Sequence, residues 1–231
     1  MRSINFILHL TLILLMTSCG ATPTEIAAPV PTAAATLVPP ITAHPTSVIS
    51  PDFEAGQWTH IFYHDRLGQV VMVNGGPEQG KPAEEPLELW GWDGLQWFLI
   101  SADANGPTWR NWAAVAYDSV RDVLVIHGGL QGQSYFEETW EWDGEHWKGF
   151  TDTNAREGAV LAYDSARTKT VLFGGSDAEM EIHGATWEWD GETWMKVSES
   201  GPAPRFPGGM VYDPVRQEVW MYSGHFAAPS G

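Results

Sequence analysis

Residues 139–147 read TWEWDGEHW, and residues 186–194 repeat the stretch as TWEWDGETW. A third copy, LWGWDGLQW, occupies 89–97. In each copy aromatic side chains alternate with other residues up to an Asp-Gly pair, and another tryptophan follows after two intervening residues. Period-two alternation is typical of strands, and Asp-Gly favours a tight hairpin turn. Each copy therefore predicts two antiparallel strands joined by a turn.

Two further landmarks accompany each copy at intervals of about 50 residues, which indicates an internal repeat. The first is an aromatic-Asp pair, found as Tyr117-Asp118, Tyr163-Asp164, Tyr212-Asp213 and a weaker His64-Asp65. The second is a glycine pair, found as Gly75-Gly76, Gly128-Gly129, Gly174-Gly175 and a degenerate Ser223-Gly224. Arginines also recur after the aromatic-Asp pair, at Arg121, Arg167 and Arg216.

The second unit predicts four strands, at 112–117, 123–127, 139–142 and 147–150, with a hairpin turn at 118–122. No stretch has convincing helical periodicity, so the predicted class is all-β. One four-stranded sheet cannot bury both of its faces alone. Neighbouring units must stack face to face, which the radial repetition of a β-propeller provides.

These landmarks resemble the kelch repeat, and residues 57–226 are similar to the kelch propellers of the galactose-oxidase central-domain superfamily. The resemblance implies a propeller of six or seven four-stranded blades. We expect blades at about 57–101, 110–151 and 156–198, with a partial blade at 205–224 inside the segment 51–231. About three and a half blades would not close such a ring. We expect a fragment, with closure by another chain or an open half-propeller as alternatives.

The amino terminus predicts a secretory signal over residues 1–18, because a short apolar run follows Arg2 and ends at small residues. The tetrad 16–19 resembles a lipobox, which implies acylation of Cys19 and anchoring to a bacterial membrane outside the cytoplasm. Because Cys19 is the one cysteine of the chain, no disulfide is expected. Residues 19–50, rich in Ala, Pro and Thr, predict a semi-extended tether, within which 46–50 could supply a closing outermost strand.

The formal net charge is −17, from 12 basic and 29 acidic side chains. Such a surface repels phosphate backbones, so nucleic acid is not an expected partner.

Three arginines, Arg110, Arg156 and Arg205, precede the first strand of successive units. They could ring an anion-binding mouth, or each could pair with a carboxylate between blades. Trp109 is the most loop-like tryptophan and could stack on a sugar, or pack against a neighbouring blade. The loops after the glycine pairs differ between units, as specificity loops usually do. Gln133, Tyr135 and His183 are the candidate ligand contacts there, for a sugar or another ligand.

No Ser/His/Asp set or carboxylate pair can be assigned, so no catalytic residue is predicted. The histidines form no spaced metal motif, and the copper centre of galactose oxidase needs a cysteine that this segment lacks, so neither a metal nor a cofactor is expected. Two hypotheses stay open. The chain is a surface-anchored module that binds a glycan or protein, or it belongs to an extracytoplasmic carbohydrate-active enzyme whose catalytic residues lie in further blades or another domain.

Overall fold

The computed structural model describes residues 59–76, 82–151 and 154–226. Within these three ranges the chain forms strands and turns and contains no helix. Since the described residues form no helix, none of them belongs to a helix that is long and apolar enough to cross a membrane. The predictions for the signal, for Cys19, for the tether and for a closing strand at 46–50 lie outside the described residues.

In the described part of the chain, sixteen strands form three four-stranded antiparallel sheets, a two-stranded sheet and a small hairpin. Sheet 1 contains β1 (His60–His64), β2 (Gln69–Asn74), β3 (Glu88–Trp92) and β4 (Trp97–Ser101). Sheet 2 contains β5 (Ala114–Asp118), β6 (Val123–His127), β9 (Thr139–Trp142) and β10 (Trp147–Phe150), with the hairpin β7 (Leu130–Gln131) and β8 (Ser134–Tyr135) inserted after β6. Sheet 3 contains β11 (Glu157–Asp164), β12 (Lys169–Ser176), β13 (Thr186–Trp189) and β14 (Trp194–Ser198). Sheet 4 contains β15 (Gly209–Asp213) and β16 (Glu218–Tyr222).

The all-β prediction is confirmed, and so are four-stranded antiparallel units. Strands β6, β9 and β10 coincide with the ranges predicted from the second repeat. Strand order follows the chain order in every four-stranded sheet, because each connection is a hairpin or a loop between neighbouring strands. This arrangement is compatible with a β-propeller.

The core lies between the sheets. Between sheets 1 and 2, Val71 and Leu89 pack with Leu124, Ile126 and Trp142. The corresponding layer between sheets 2 and 3 contains Ala116, Val125, Leu161, Leu172 and Trp189. Each of these side chains is buried, and burying one large apolar side chain contributes about 1.5–3 kcal/mol. The sheets therefore stabilise one another through their faces.

First strands of successive sheets lie side by side at the position where the repeat places its smallest residues. The amide of Gly158 donates to the carbonyl oxygen of Trp112 at 2.9 Å, which joins the starts of the first strands of sheets 2 and 3. Ala114 and Ala159 are buried beside this contact in the core between those sheets. Small side chains allow the two backbones to approach closely.

The sequence alignment of the first repeat unit was wrong by one residue. In sheet 2 the turn between the first two strands is flanked by the pair Asp118 and Val123, and in sheet 1 it is flanked by His64 and Gln69. His64 thus stands where the other sheets have aspartate, and Tyr63 stands at the place of the recurring tyrosine. The His64-Asp65 pair resembled the landmark, but the length of the turn fixes the register.

Candidate functional site

The recurring aspartates and arginines build turns. One carboxylate oxygen of Asp118, Oδ1, accepts the amides of Val120 and Arg121, each at 3.0 Å. The other oxygen accepts the Nε of Arg121 at 2.6 Å. The same arrangement recurs with Asp164 and Arg167, and with Asp213 and Arg216, where the arginine donates from Nη1 instead of Nε. The aromatic-Asp landmark is thus explained by local turn chemistry.

The Trp-Asp-Gly landmark is also a turn. The Oδ1 of Asp143 accepts the amides of Glu145 and His146 at 2.9 and 2.8 Å, and Gly144 adopts a φ of +95°. That φ suits glycine and strains other residues. Asp93 and Asp190 hold the corresponding turns in sheets 1 and 3. In sheets 1 to 3, the Trp-Asp-Gly turn lies at the same end as the turn between the first two strands, and we call this end of the sheets the turn end.

At this end, polar side chains also join successive sheets. The buried carboxylate of Glu141 receives both terminal nitrogens of Arg121, at 2.7 and 3.0 Å, within sheet 2. It also accepts the indole N–H of Trp189, in sheet 3, at 2.7 Å. Between sheets 1 and 2, the Nε of Arg66 donates to Asp122 at 2.7 Å. These polar residues of the repeat therefore form contacts that stabilise the fold.

The opposite end, where first strands begin and second strands end, we call the loop end. Two of the predicted arginines lie there and are buried. Arg110 donates to the carbonyl oxygen of Gly128 at 3.1 Å and to Glu138 at 2.9 Å, and its guanidinium lies 3.7 Å from the ring centre of Phe136. Glu138 belongs to the same repeat unit as Arg110, so this ion pair does not connect two sheets, in contrast to the predicted pairing between units.

The other two arginines repeat part of this pattern. Arg156 donates to the side-chain oxygen of Asn154 at 2.8 Å and to the carbonyl oxygen of Gly174 at 3.3 Å. Arg205 is half-buried, donates to the carbonyl oxygen of Ala203 at 3.0 Å, and lies 4.4 Å from the ring centre of Phe226. These contacts favour a structural role over an anion-binding mouth, and the ligand role stays a prediction.

Trp109 lies in the loop between β4 and β5, as predicted, and its side chain is buried there. Its indole N–H donates to the carbonyl oxygen of Pro82 at 2.7 Å, and its ring covers Gly76 so closely that a Cβ there would overlap it. Both partners precede Trp109 and belong to the loop that follows β2. The geometry favours packing against the neighbouring unit over stacking on a sugar.

Non-repeating polar residues gather at the loop end of sheets 2 and 3. The hydroxyl of Tyr135 donates to the carboxylate of Glu157 at 3.3 Å, and Ser176 donates to the same carboxylate at 3.3 Å. Burial, together with the charge of Glu157, raises the pKa of Tyr135. Next in sequence, Asp177 contacts the Nε2 of His183 at 2.8 Å. We call these five residues the polar cluster.

Gln133 projects from the tip of the β7–β8 hairpin and is exposed. Its neighbour Gln131 donates to the carbonyl oxygen of Trp109 at 3.0 Å, which ties the hairpin to the body of the sheet. The structure therefore brings Tyr135 and His183 to the same end of adjacent sheets, with Gln133 on the hairpin that carries Tyr135. The role of these three residues as ligand contacts stays a prediction.

A groove of about 560 Å³ lies at the loop end along the starts of the first strands. Its lining includes the rings of Trp112, Phe206 and His225, together with His60 and Gly158. Phe206 and His225 stack with ring centres 5.0 Å apart, and Phe206 lies directly over Gly158. Glu157 of the polar cluster is adjacent in sequence to Gly158, so the groove and the cluster adjoin at the start of β11.

Trp112 in this groove has a φ of +58°, a left-handed conformation that is unfavourable for a bulky side chain. At the equivalent place in sheet 3, six residues before the turn aspartate, stands Gly158 with a φ of +62°. Sequence reasoning missed Trp112, Phe206, Glu157 and Ser176. A tryptophan where the next unit has glycine was the signal that could have identified Trp112.

Among the described residues, no group of three or more histidine, cysteine, aspartate or glutamate side chains is placed to hold a metal ion. In comparisons with known proteins, the chain matches no protein-family model and no curated protein sequence.

Proposed function

We propose that the chain is a kelch-type β-propeller module, displayed outside the cytoplasm, that binds a glycan or protein ligand and catalyses no reaction. The observation that carries the proposal is that repeating and non-repeating polar residues form different kinds of contact. The polar residues that repeat form turns, bonds between sheets or internal contacts such as those of Arg110, whereas Gln133 and the polar cluster do not repeat and lie together at the loop end. Variable residues on a repeated scaffold are typical of binding modules.

A glycan is the ligand that the surface suits best. Sugars bind through hydrogen bonds to amides, carboxylates and hydroxyls and through contact with flat aromatic faces. Gln133 and the polar cluster supply the first kind of contact, and Trp112 and Phe206 in the adjacent groove supply the second. A protein ligand is the second outcome that the experiment below distinguishes.

The experiment is a glycan array probed with the full-length protein, followed by titration of the best ligand. We expect binding to a defined class of glycan, and a loss of at least about tenfold in affinity, or 1.4 kcal/mol, for Gln133→Ala or Tyr135→Phe. The matched control is Glu192→Gln, because Glu192 is exposed at the turn end. Equal affinity of the loop-end variants and the control would contradict the proposed site.

A parallel pull-down with extracellular proteins tests the other ligand class. A protein captured by the wild type, but not by Tyr135→Phe, would place a protein ligand at the same surface. If neither the array nor the pull-down yields a ligand that depends on the loop end, the binding function is wrong.

Display outside the cytoplasm is tested separately, through the acylation proposed for Cys19. Metabolic labelling with an alkyne-tagged fatty acid should label the wild-type chain and bring it into the membrane fraction. Cys19→Ser should abolish both, because the chain contains no other cysteine. Ser18→Ala, which keeps a small residue before the cysteine, is the control. Labelling that persists in Cys19→Ser would contradict the anchor.

A further inference from the structure

Successive sheets in this protein meet through one recurring set of contacts. The tyrosine of each later sheet lies against the turn residue that flanks the first hairpin of the sheet before it. The pairs are Tyr117 against His64, Tyr163 against Asp118, and Tyr212 against Asp164. The earlier sheet thus supplies a turn residue and the later sheet supplies a tyrosine.

An arginine provides the second element of this contact. Arg66 of sheet 1 lies against Gly144 in the Trp-Asp-Gly turn of sheet 2 and donates to the carbonyl oxygen of Asp143. Arg121 of sheet 2 lies in the same way against Gly191 of sheet 3, where a Cβ would come within 2.5 Å of the guanidinium. The arginine of the earlier sheet therefore covers the turn of the later sheet.

The face of sheet 4 that points away from sheet 3, which we call its outward face, presents the residues that an earlier sheet contributes to this set of contacts. Asp213 and Arg216 form the usual turn, and the guanidinium of Arg216 is exposed. Beside them lie three large apolar side chains with unusually high exposure, Val211 at 64%, Trp220 at 54% and Tyr222 at 71%. Register places all three on the same face of the β15–β16 pair as Asp213.

In sheet 1 the first strand, β1, presents the residues that a later sheet contributes to this set, on the outward face of the sheet. Met72 and Trp90, in the next two strands of that face, are buried. Tyr63, the counterpart of Tyr117 in the corrected register, is 52% exposed, and Ile61 on the same face is exposed as well. In the Trp-Asp-Gly turn of this sheet, Gly94 has no neighbouring atom within 4 Å of the place where a Cβ would stand. Among the Trp-Asp-Gly turns of sheets 1 to 3, this is the one that no arginine covers.

We propose that two copies of this chain associate head to tail, with the outward face of sheet 4 in one copy packed on the outward face of sheet 1 in the other. Tyr63 of the second copy then lies against Asp213, and Arg216 covers the turn at Gly94. The apolar residues Val211, Trp220 and Ile61 form the new core layer. The contact is heterologous, since it joins two different faces of the chain.

The net charge of the chain should make this association depend on salt concentration. Two copies that each carry a formal charge of −17 repel one another, and salt screens that repulsion. The contact itself is largely apolar, so it should survive higher ionic strength. We therefore expect association of the full chain to strengthen between about 0.01 and 0.15 M salt, where the screening length falls from about 30 to 8 Å.

The test is light scattering coupled to size-exclusion chromatography of the full-length chain over a hundredfold range of concentration. The wild type should exceed the monomer mass as concentration rises. Trp220→Asp blocks one face and Tyr63→Asp blocks the other, so each variant alone should stay monomeric. Because both substituted side chains are exposed, the variants should fold, and circular dichroism checks this. Val211→Asp and Ile61→Asp repeat the test at neighbouring positions.

Mixing distinguishes the proposed contact from other forms of self-association. A one-to-one mixture of Trp220→Asp and Tyr63→Asp retains one intact pair of faces, so a heterodimer should form. Met180→Asp is the matched control, since Met180 is 81% exposed on neither face, and it should associate like the wild type. A wild type that stays monomeric, or a mixture that stays monomeric while the wild type associates, would overturn the proposal. Glycan binding at the loop end is a separate readout and does not decide this question.

Discussion

Trp142 and Trp189 occupy the same place in successive sheets, yet their indole N–H groups meet different surroundings. Trp189 donates to Glu141, whereas the Nε1 of Trp142 is buried with no acceptor among the described residues. The reason lies one sheet earlier, where Gly91 stands in place of the glutamate. A Cβ at Gly91 would come within 2.7 Å of Phe98, so the first sheet has no room for a carboxylate there.

Glu141 is accordingly the residue whose removal should disturb the joint between sheets 2 and 3 most directly. Glu141→Gln keeps the shape but replaces the charged acceptor that Arg121 and Trp189 share, and it leaves Arg121 without one of its carboxylates. We expect a loss of about 1–3 kcal/mol in the free energy of unfolding, measured by urea denaturation. Glu145→Gln, at an exposed turn, is the control and should change it by less than about 0.5 kcal/mol. Equal effects would contradict the shared-acceptor role.

The buried side chain of His127 should make the free energy of unfolding depend on pH. Its ring is fully buried, with Nδ1 2.9 Å from the hydroxyl of Thr139 and Nε2 2.9 Å from the carbonyl oxygen of Asn154. Burial lowers the pKa of His127 to about 4; the Asn154 carbonyl opposes the shift, Arg156 and Arg110 add to it, and Glu138 opposes it. The folded protein therefore holds this histidine neutral under conditions in which an exposed histidine is charged.

Between about pH 6.5 and 4 the unfolded chain binds a proton at His127 that the folded chain does not. The free energy of unfolding should thus fall as the pH drops through this window, by up to roughly 3 kcal/mol from this residue, and level off below it. Urea denaturation of His127→Gln should show a shallower pH dependence than the wild type. His146→Gln, at an exposed position, should keep the wild-type slope, and a slope unchanged in both variants would contradict the assignment.

At the scale of elements, the joint between sheets depends on glycines that follow the second strand. Gly128 and Gly132 have nearly the same φ, +64° and +63°. A Cβ on Gly128 would overlap the carbonyl oxygen of Arg156 in the next unit, whereas one on Gly132 would meet nothing within 4 Å. The two positions therefore separate backbone strain from crowding between sheets.

Gly132→Ala should lower the free energy of unfolding by about 1 kcal/mol, the ordinary cost of a left-handed alanine. Gly128→Ala should cost several kcal/mol, since the backbone of the neighbouring unit must also move. Thermal and urea denaturation of both variants provide the comparison. If the two alanines cost the same, the close approach at Gly128 does not contribute to stability.

The same elements show what the sequence could predict. Strands β6, β9 and β10 followed from alternation and from the Asp-Gly turn, because those signals are local. The β7–β8 hairpin carries no such alternation and was not predicted. The register of sheet 1 was misplaced because the residues at the landmark position, Tyr63-His64, lack the aspartate, whereas an aromatic-Asp pair, His64-Asp65, occurs one residue later. Only the length of the four-residue turn distinguishes the two frames.

The candidate site was less predictable than the fold. Tyr135, His183 and Gln133 were predicted as ligand contacts because their loops depart from the repeat, and that role stays a prediction. Glu157 and Ser176, in contrast, meet only through strand pairing between β11 and β12. The burial of Trp109 likewise depends on a loop of the preceding unit. Contacts between distant segments depend on how the sheets pack, and the pattern of a single sequence does not predict that packing.

At the scale of the whole molecule, stability should be distributed unevenly along the series of sheets. Each sheet contacts mainly its neighbours, so a local change should affect the adjacent sheets more than distant ones. Sheet 2 is covered on both faces by sheets 1 and 3, whereas sheet 4 has two strands and an exposed apolar face. In dilute solution, below the concentration of any self-association, amides of β6 should exchange with solvent slowest and those of β16 fastest.

Leu172→Ala makes this expectation specific. Leu172 is fully buried in the layer between sheets 2 and 3, and its truncation should cost about 2–5 kcal/mol. Hydrogen exchange followed by mass spectrometry should show the greatest acceleration in β5–β6 and β11–β14, and less in β1–β4. Val197→Ala, on the partly exposed strand β14, should change little. Uniform acceleration in all sheets would instead indicate that the described sheets unfold as one cooperative unit, with no nearest-neighbour gradient between them.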